Sequence, residues 1–368
     1  MSDRSFFFAG GGTGGHIYPA LAVAERIIEL DAGAKVRFLC SRREIDSRIL
    51  EQSGFAYTPL PMRGFSFRPS RLADSLSSFV RSYRIARAAI AESGKAVVIG
   101  IGGFVSGPSC WAAHKLGAPI VVLNVDIIPG RANRIMARWA DEIFVQFEDT
   151  RRHFAKSKAK ISVVGCPLRR AFDDIDPARA VQQLELAKGR KVLLVTGASS
   201  GAANINDAVC RFLERLGQFA DSWQIVHLAG LRHFEEIEAK YAGAKIRHKV
   251  LAYYDDMADL LASAHLVVGR SGAVSVAEYA AAGAPSICIP YPYHKDRHQY
   301  LNAGKLVEAG AAVIVDDLPD PAERAERLWH ELEGLMKDEE RRLEMAEGCF
   351  QVANTQAAAT IARSLLED

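Results

Sequence analysis

The sequence predicts an α/β protein with two parallel β-sheets, one in each of two domains. The chain has 368 residues, and a single hydrophobic core usually stops growing below that length. Apolar, β-rich runs alternate with amphipathic helical stretches, which is typical of βαβ units. Four of these runs end in a glycine-rich turn that opens into a helical pattern, two in each half of the chain. The pattern therefore predicts one such sheet in each half.

The four runs that end in glycine indicate where ligands bind. They are FFFAGGGTGG from Phe6, VVIGIGGFVSG from Val97, VLLVTGASSG from Val192 and LVVGRSGAVS from Leu266. Each turn follows its strand and so lies at the strand's carboxyl end, where open α/β sheets bind their ligands. Other β-like runs lie between them, at Val36 to Cys40, Pro119 to Val125, Glu142 to Gln146, Ser222 to Ala229 and Ser286 to Pro290.

A domain boundary is expected near the segment VVGCPLRR, residues 163–170. This segment ends a run of strands and precedes a polar, Asp-rich stretch, residues 173–179. We therefore expect an N-terminal domain of residues 1–165 and a C-terminal domain of residues 166–368. The last segment, Glu339 to Leu366, indicates one or two helices, and the sequence leaves open whether they pack on the C-terminal domain or back on the N-terminal one.

Composition excludes several classes of protein. Hydrophobic residues make up 49% of the chain, charged residues 24%, and the net charge is +2, values of a globular chain with no general affinity for nucleic acid. The six cysteines are widely spaced without a C-x-x-C pair, so we expect reduced thiols. The N-terminus lacks a signal-peptide pattern, and the longest apolar stretch, Ala96 to Ala113, is interrupted by glycines and Pro108. We expect a cytoplasmic protein without a transmembrane helix.

The first turn, Gly10 to His16, has five glycines in seven residues, which allows a ligand to approach the backbone closely. The helix that follows would direct free N–H groups at an anion. His16 can serve as a general base, or only as a hydrogen-bond partner at the helix start, and its position leaves both open. No Gly-Lys-Ser/Thr follows, and the acidic residue of a dinucleotide fingerprint is not clearly present, although Asp31 lies nearby. A P-loop and a dinucleotide oxidoreductase are therefore disfavoured.

The second half carries two further candidate sites. Gly269 to Gly272 precedes a helix of small residues, Ala273 to Ala282, that contains Glu278. A diphosphate can bind at this helix N-terminus while Glu278 accepts hydrogen bonds from a ribose. The alternative is an ordinary packed helix with one exposed glutamate. The polar and aromatic run Pro290 to Asn302 directly follows a buried strand, and such a cluster serves a ligand more often than solvent.

Six segments occur in the order and at the separations of a known family. They are GGGTGGHIYPALAVA from Gly10, GIGGFVSGP from Gly100, GCPLR from Gly165, GASSGAANIN from Gly197, RSGAVSVAEYAAAG from Arg270 and HKDRHQYLNA from His294. Together they closely resemble the MurG family of N-acetylglucosaminyltransferases, which complete the peptidoglycan precursor lipid II. The resemblance implies a GT-B fold, in which two Rossmann-like domains face each other across a cleft and the C-terminal one holds most of the donor.

The resemblance also implies the residues that contact the donor. Arg169 would offset diphosphate charge, Ser199 and the loop amides would bind phosphate oxygens, and Glu278 would bind the ribose. His16 matches the family's loop histidine and is the candidate general base. The implied donor contacts are Thr13, Gly14, Gly15, Arg169, Ser199, Tyr254 (through its backbone, beside the uracil), Ala273, Val274, Ser275, Val276, Ala277, Glu278, Gln299 and Asn302.

One segment departs from the family pattern. Where the family usually has His-Glu-Gln-Asn, this chain has Asn124-Val125-Asp126. The family's asparagine contacts the donor sugar or lies near the acceptor, so either Asn124 or Asp126 takes its role or the role is absent. We count Asn124 among the donor contacts and Asp126 beside His16 as a candidate catalytic residue. The identity of the acceptor depends on this segment.

A basic amphipathic helix is predicted between Arg68 and Arg87. A polyprenyl-linked acceptor requires a membrane-facing surface, and a basic amphipathic helix suits an anionic bilayer. The alternative is a surface helix whose apolar face packs on its own domain. The residues of this predicted membrane patch are Leu72, Leu76, Phe79, Val80, Tyr83, Arg81 and Arg84.

The segment Asp174-Ile175-Asp176 matches the D-x-D metal signature of other glycosyltransferases. Three residues occur together easily by chance, and the GT-B fold generally positions a diphosphate with amides and helix dipoles. We therefore expect no metal site and no cofactor, since UDP-N-acetylglucosamine is a substrate.

The predicted activity is an inverting transfer of N-acetylglucosamine from its UDP donor to a lipid-linked acceptor. The resemblance implies lipid I as acceptor and lipid II as product, a role in cell-wall synthesis, cell shape and division, and peripheral association with the inner face of the cell membrane. Three alternatives stay open: a UDP-sugar epimerase or hydrolase of the same fold, a transferase with another acceptor, and a non-catalytic UDP-sugar-binding protein. Turnover of the donor without acceptor would favour the first, and donor binding without turnover the last.

Overall fold

The computed structural model describes residues 4–12, 14–64, 69–197 and 201–367. The chain forms two compact units. The N-terminal unit consists of Met1–Arg170 and Thr355–Asp368, and the C-terminal unit consists of Ala171–Asn354. The chain passes from the first unit to the second after Arg170, where the sequence placed the boundary after residue 165, and it returns to the N-terminal unit for its last helix.

The N-terminal unit contains a seven-stranded sheet in which each neighbouring pair of strands is parallel. The strand order is β3-β2-β1-β4-β5-β6-β7. The strands are β1 (Arg4–Gly10), β2 (Lys35–Ser41), β3 (Ala56–Leu60), β4 (Lys95–Gly102), β5 (Ile120–Asn124), β6 (Glu142–Val145) and β7 (Lys160–Val163). The helices that connect the strands are α1 (Gly14–Leu30), α2 (Glu44–Ser53), α3 (Pro69–Ala91), α4 (Ser106–Leu116) and α5 (Arg131–Met136).

The C-terminal unit repeats this design with six parallel strands in the order β10-β9-β8-β11-β12-β13. The strands are β8 (Lys191–Thr196), β9 (Trp223–Leu228), β10 (Arg247–Leu251), β11 (Leu266–Gly269), β12 (Ser286–Cys288) and β13 (Ala312–Ile314). The helices are α6 (Pro177–Gln183), α7 (Ala203–Arg211), α8 (Leu213–Leu216), α9 (Phe234–Tyr241), α10 (Met257–Ser263), α11 (Ala273–Ala281), α12 (His298–Glu308), α13 (Pro321–Lys337) and α14 (Glu339–Val352). The last helix of the chain is α15 (Ala357–Glu367).

Strand β1 shows why its sheet is covered on both faces. Successive side chains of a strand point to opposite faces, so Phe6 and Phe8 pack in one hydrophobic cluster while Phe7 and Ala9 pack in another. A parallel sheet buried on both faces has strands that are apolar throughout, as the run FFFA is. The predicted α/β class with a parallel sheet in each of two domains is confirmed.

The terminal segment forms two helices that belong to different units. Helix α15 packs on α1 of the N-terminal unit, and the Arg4 guanidinium donates a 2.9 Å hydrogen bond to the Leu366 carbonyl. Helix α14 packs on α11 and α12 of the C-terminal unit. Among the residues that the structure describes, no helix has the length and apolar character needed to cross a membrane.

Candidate active site

The four glycine-rich turns lie at the two points where strand order reverses. In the N-terminal unit the order reverses between β1 and β4, and the first two turns follow these two strands. In the C-terminal unit it reverses between β8 and β11, and the other two turns follow those strands. Open α/β sheets bind ligands at such switch points, outside the carboxyl ends of the strands. Each unit thus has one candidate ligand-binding edge.

At the N-terminal edge, α1 begins at Gly14, so Gly14, Gly15 and His16 form its first turn. The backbone N–H groups of a first helical turn have no partner within the helix and can bind an anion. The His16 side chain is half-buried and lies over Gly102, the last residue of β4. A Cβ atom at Gly102 would lie 3.1 Å from His16 Nε2, so a side chain there would displace the imidazole. Thr13 lies outside the described residues.

The segment that departs from the family pattern is held by two asparagine side chains. Asn124, the last residue of β5, is buried and donates a 2.7 Å hydrogen bond from Nδ2 to the Asp126 carbonyl. Its Oδ1 accepts a 2.9 Å hydrogen bond from Asn133 Nδ2. The Asn124 side chain therefore stabilises the turn of residues 124–126 through its Nδ2 and its Oδ1. The side chain of Asp126, in the same turn, is half-buried.

Asn133 is a residue of this site that the sequence reading did not single out. It lies on α5, and its Oδ1 is buried without a hydrogen-bond partner in the described part of the chain. A Cβ at Gly102 would lie 3.4 Å from this oxygen and 3.1 Å from His16 Nε2, so both groups line the same small space. A buried acceptor of this kind suits a ligand hydroxyl or a protonated imidazole.

Arg169 lies near the end of the N-terminal unit, where its guanidinium packs over the ring of Tyr18 on α1 at 5.0 Å. Glu25, further along α1, lies near enough to interact with it electrostatically. Burial raises the pKa of Glu25, against the opposing effects of the Arg170 backbone N–H and the Arg169 charge. Arg169 thus belongs to a partly buried cluster on α1.

At the C-terminal edge, the glycine turn that follows β11 leads directly into α11. The residues of α11 that pack inward include Ala273, Val276 and Tyr279, while Val274, Ser275, Ala277 and Glu278 are half-buried. The Tyr279 hydroxyl donates a 3.0 Å hydrogen bond to the Arg270 carbonyl, and this bond holds the turn against the helix. The first turn of α11 contains no acidic residue, so its N-terminal amides are suited to an anion.

Helix α12 is tied to the same turn. The buried Asn302 donates a hydrogen bond from Nδ2 to the Ser271 carbonyl at 3.5 Å. Gln299, one turn earlier, accepts a 3.0 Å hydrogen bond at Oε1 from the Tyr291 backbone N–H. The structure thus ties Asn302 to the turn that precedes α11, and Gln299 to the segment that follows β12.

Another predicted donor contact, Tyr254, belongs to a different segment of the C-terminal unit. Tyr254 lies on the segment after β10, where its hydroxyl donates a hydrogen bond to Gln183 Oε1. Its side chain is therefore held by α6, and the contact of its backbone with the uracil stays a prediction. Ser199, in the turn that follows β8, lies outside the described residues.

A buried ion cluster that the sequence reading missed lies beneath the turn that follows β11. Arg270 Nη2 is 2.9 Å from Asp317 Oδ2, an ion pair by distance rather than an aligned hydrogen bond. Asp317 Oδ1 accepts a 2.9 Å hydrogen bond from Asn204 Nδ2 and lies 3.6 Å from Arg324 Nη1. Arg270 also donates to the Ile289 carbonyl at 3.0 Å. The Arg270 charge is therefore directed into the unit, where Asp317 balances it.

A second buried network lies beside the turn that follows β8. His227 is fully buried between Asn206 and Tyr241. Because Asn206 Nδ2 donates to the Ala229 carbonyl, Asn206 Oδ1 must accept from His227 Nε2, and His227 Nδ1 then accepts from the Tyr241 hydroxyl. Burial lowers the pKa of His227 to about 3, so the imidazole is neutral at pH 7.

The two aspartates of the D-x-D match have local structural partners. Asp176 caps α6, where its Oδ1 accepts a 2.9 Å hydrogen bond from the Ala178 N–H. Asp174 pairs with Arg179 at 3.3 Å, and the same guanidinium donates to Asp259 Oδ2 at 2.7 Å. The hydrogen bond from Arg179 is the main cause of the lowered pKa of Asp259. Both carboxylates therefore have partners within their own unit.

Comparison with known proteins identifies relatives of both units. The glycosyltransferase family 28 N-terminal domain matches residues 6–145, and the family 28 C-terminal domain matches residues 192–362. A UDP-N-acetylglucosamine--N-acetylmuramyl-(pentapeptide) pyrophosphoryl-undecaprenol N-acetylglucosamine transferase of Halothermothrix orenii is 36% identical over 369 residues, which cover 98% of each chain.

Two solved structures share the fold. The crystal structure of MurG from Acinetobacter baumannii has a TM-score of 0.75 at 24% identity and covers 99% of this chain and 100% of its own. A UDP-GlcNAc 2-epimerase from Neisseria meningitidis bound to UDP-GlcNAc has a TM-score of 0.71 at 14% identity, with 99% and 100% covered. At these identities the two structures support the fold alone.

Proposed function

The chain belongs to the MurG family within glycosyltransferase family 28, and we propose that it transfers N-acetylglucosamine from UDP-N-acetylglucosamine to lipid I, giving lipid II. The observation that carries this proposal is the match to a transferase of that name over 98% of both chains. The geometry is consistent with it, because each unit presents glycine-rich turns at its switch point. We further propose that the transfer requires no metal ion.

The proposed chemistry is a displacement with inversion. The acceptor hydroxyl attacks the anomeric carbon of the donor sugar from the face opposite UDP, a new glycosidic bond forms, and the bond to UDP breaks. His16 accepts the proton of the hydroxyl, with Asp126 as the other candidate base. The α11 N-terminal amides and Arg169 stabilise the departing diphosphate, and Glu278 binds the ribose.

The identity of the acceptor is tested by comparing acceptors that carry different lipids. Purified protein is incubated with labelled UDP-N-acetylglucosamine and lipid I, and in parallel with other polyprenyl-linked acceptors and with diacylglycerol. We expect transfer to lipid I and none to diacylglycerol. Preferential transfer to another acceptor would contradict the proposal, and so would loss of donor in the absence of any acceptor, which would indicate the epimerase or hydrolase.

We also propose that α3 contacts an anionic membrane surface from the cytoplasmic side. Leu72, Leu76 and Val80 are exposed at 43%, 52% and 45% and lie in one row four residues apart. Phe79 and Tyr83 instead are half-buried and pack against the core of their own unit, so they do not extend this row. Arg81 and Arg84 are exposed on the same helix. Apolar side chains flanked by arginines suit an anionic lipid surface.

Vesicle sedimentation tests this contact. We expect the protein to sediment with vesicles that contain anionic lipid and less with purely zwitterionic ones. Replacing Leu76 and Val80 by glutamate should reduce sedimentation, whereas the same change at the exposed Leu343 of the C-terminal unit should not. Equal binding of the α3 variant and the wild type would exclude this surface.

A further inference from the structure

A buried carboxylate lies beneath the first glycine-rich turn. Asp46, in the first turn of α2, is fully buried. Both of its oxygens lie 2.9 Å from the Gly12 backbone nitrogen, which donates to them. Oδ2 also accepts from the Ser41 backbone N–H at 3.1 Å and from the Ser41 hydroxyl at 2.6 Å. Hydrogen bonds to an ionised acceptor are among the stronger ones, so Asp46 fixes the turn firmly to the end of β2.

The turn is closely packed both against Asp46 and against the residues that follow β4. A Cβ at Gly11 would lie 2.3 Å from Asp46 Oδ2, and Gly11 has a φ of +130°. On the opposite side, a Cβ at Gly103 would lie 2.5 Å from the Gly11 carbonyl oxygen. Arg43 Nη1 donates a 2.8 Å hydrogen bond to the Gly12 carbonyl. The turn is therefore held between α2 and the glycine turn that follows β4.

This arrangement limits what the turn can bind. The Gly12 N–H donates to an internal carboxylate and cannot donate to a phosphate at the same time. A second anion in the same place would also be repelled by Asp46. The Gly12 amide is thus occupied by the protein's own anion, whereas the first amides of α1, at Gly14 and Gly15, are suited to a ligand. Helix α1 begins only two residues before His16, so the turn also sets where the imidazole lies.

We infer that Asp46 is a positioning residue that acts through the glycine turn to hold His16 over Gly102. The inference rests on the proposed function, since it gives His16 its task in the transfer. Asp46 fixes Gly12, which lies two residues before the start of α1 at Gly14, and the first turn of α1 carries the imidazole that lies beside Asn133. A displacement of about 1 Å at a reacting group can cost about 100-fold in rate.

The test is a double-mutant cycle of Asp46 and His16 with lipid I and UDP-N-acetylglucosamine as substrates. For Asp46→Asn, which replaces one acceptor oxygen by an amide without a change of size, we expect kcat to fall about 10- to 100-fold. Donor affinity, measured by calorimetry, should change by less than about twofold, because a positioning residue for the base affects the chemical step. In the His16→Ala background, Asp46→Asn should lower kcat no further.

A matched control and a second variant complete the design. Glu44→Gln lies in the same turn of α2 but is exposed, and it should keep wild-type kcat. Gly11→Ala places a methyl group against Asp46, so it should displace the turn and lower kcat as Asp46→Asn does. If circular dichroism shows that Asp46→Asn is not folded, Gly11→Ala replaces it in the test. Unchanged kcat in the folded variants, or effects of Asp46 and His16 that multiply, would overturn the inference. A wild-type protein inactive on lipid I would instead contradict the proposed function.

Discussion

At the switch point of the N-terminal unit a carboxylate, Asp46, lies under the glycine turn that follows β1, whereas at the switch point of the C-terminal unit a guanidinium, Arg270, begins the glycine turn that follows β11. Asp46 accepts a hydrogen bond from the Gly12 N–H, so this amide is not available to a ligand anion. Arg270 is directed inward to Asp317, and α11 begins after it without an acidic residue in its first turn. The two switch points therefore differ: the turn that follows β11 leads into a helix suited to a diphosphate, whereas the turn that follows β1 leads into the helix that carries His16.

The largest expected effect tests the chemical role of the N-terminal unit. For His16→Ala we expect kcat to fall about 10²- to 10⁴-fold, the range that a general base contributes. Donor affinity should stay close to that of the wild type. Steady-state kinetics with lipid I measures both, and His114→Ala, an exposed histidine in the last turn of α4, serves as control. Wild-type kcat in His16→Ala would move the chemistry away from this residue and leave Asp126 as the candidate base.

The next effect concerns the stability of the C-terminal unit. Asp317→Asn keeps the side-chain size but leaves Arg270 and Arg324 without their shared counter-ion. Removing one partner of a buried ion pair typically costs about 3–5 kcal/mol. We expect urea unfolding followed by tryptophan fluorescence to show a loss of this size, with little change for Asp316→Asn at the exposed neighbouring position. A loss below about 1 kcal/mol would mean that the cluster is not a main support of the turn.

Donor binding should depend on Glu278. We expect Glu278→Ala to raise the KM for UDP-N-acetylglucosamine about 10- to 100-fold, because hydrogen bonds to a charged group contribute about 1.5–3 kcal/mol. The kcat at saturating donor should change much less. Glu235→Ala, on the exposed first turn of α9 in the same unit, is the control. An unchanged KM would remove Glu278 from the ribose site and weaken the assignment of the donor to this unit.

The buried His227 makes the stability of the C-terminal unit depend on pH. Burial lowers its folded pKa to about 3, against about 6.5 in an unfolded chain. At pH values between these two pKa values, the imidazole is protonated in the unfolded state and neutral in the folded state. The free energy of unfolding therefore decreases as the pH falls below about 6.5, and this group contributes a decrease of up to about 1.4 kcal/mol per pH unit. Urea unfolding between pH 7 and pH 5 measures the slope, which should be smaller in His227→Gln. Equal slopes would show that other groups cause the dependence.

The strands that the sequence pattern missed share a position in the fold. The nine predicted runs correspond to nine strands, and the remaining four, β3, β7, β10 and β13, are the edge strands of the two sheets. Central strands are covered on both faces and are apolar throughout, whereas edge strands such as KISV and RHKVL are half-exposed and carry charged residues. Their sequences therefore lack the signal that marks the central strands.

The candidate site was predictable where one segment determines it and not where several segments meet. The glycine turns, His16 and Glu278 follow from local sequence patterns. Asp46, Asn133 and the ion pair of Arg270 with Asp317 depend on contacts between residues far apart in the chain, and an isolated Asp or Asn has no pattern of its own. The same holds for α15, whose packing on α1 could not be read from its amphipathic sequence.

The smallest expected effect concerns the D-x-D match in the C-terminal unit, where we propose that no metal ion takes part. Asparagine caps a helix as well as aspartate does, so Asp176→Asn preserves the start of α6 while it removes a potential metal ligand. The side chain of Asp174 is exposed at 91%, and its pair with Arg179 is an exposed one of little energetic weight. We therefore expect Asp174→Asn and Asp176→Asn to keep kcat within about twofold of wild type, and EDTA to leave activity unchanged. The proposal would be contradicted if EDTA inactivated the enzyme, Mg²⁺ or Mn²⁺ restored its activity, and both variants lost activity. Such a result would place a metal ion beside the diphosphate. The diphosphate charge would then not be neutralised by helix amides and Arg169 alone.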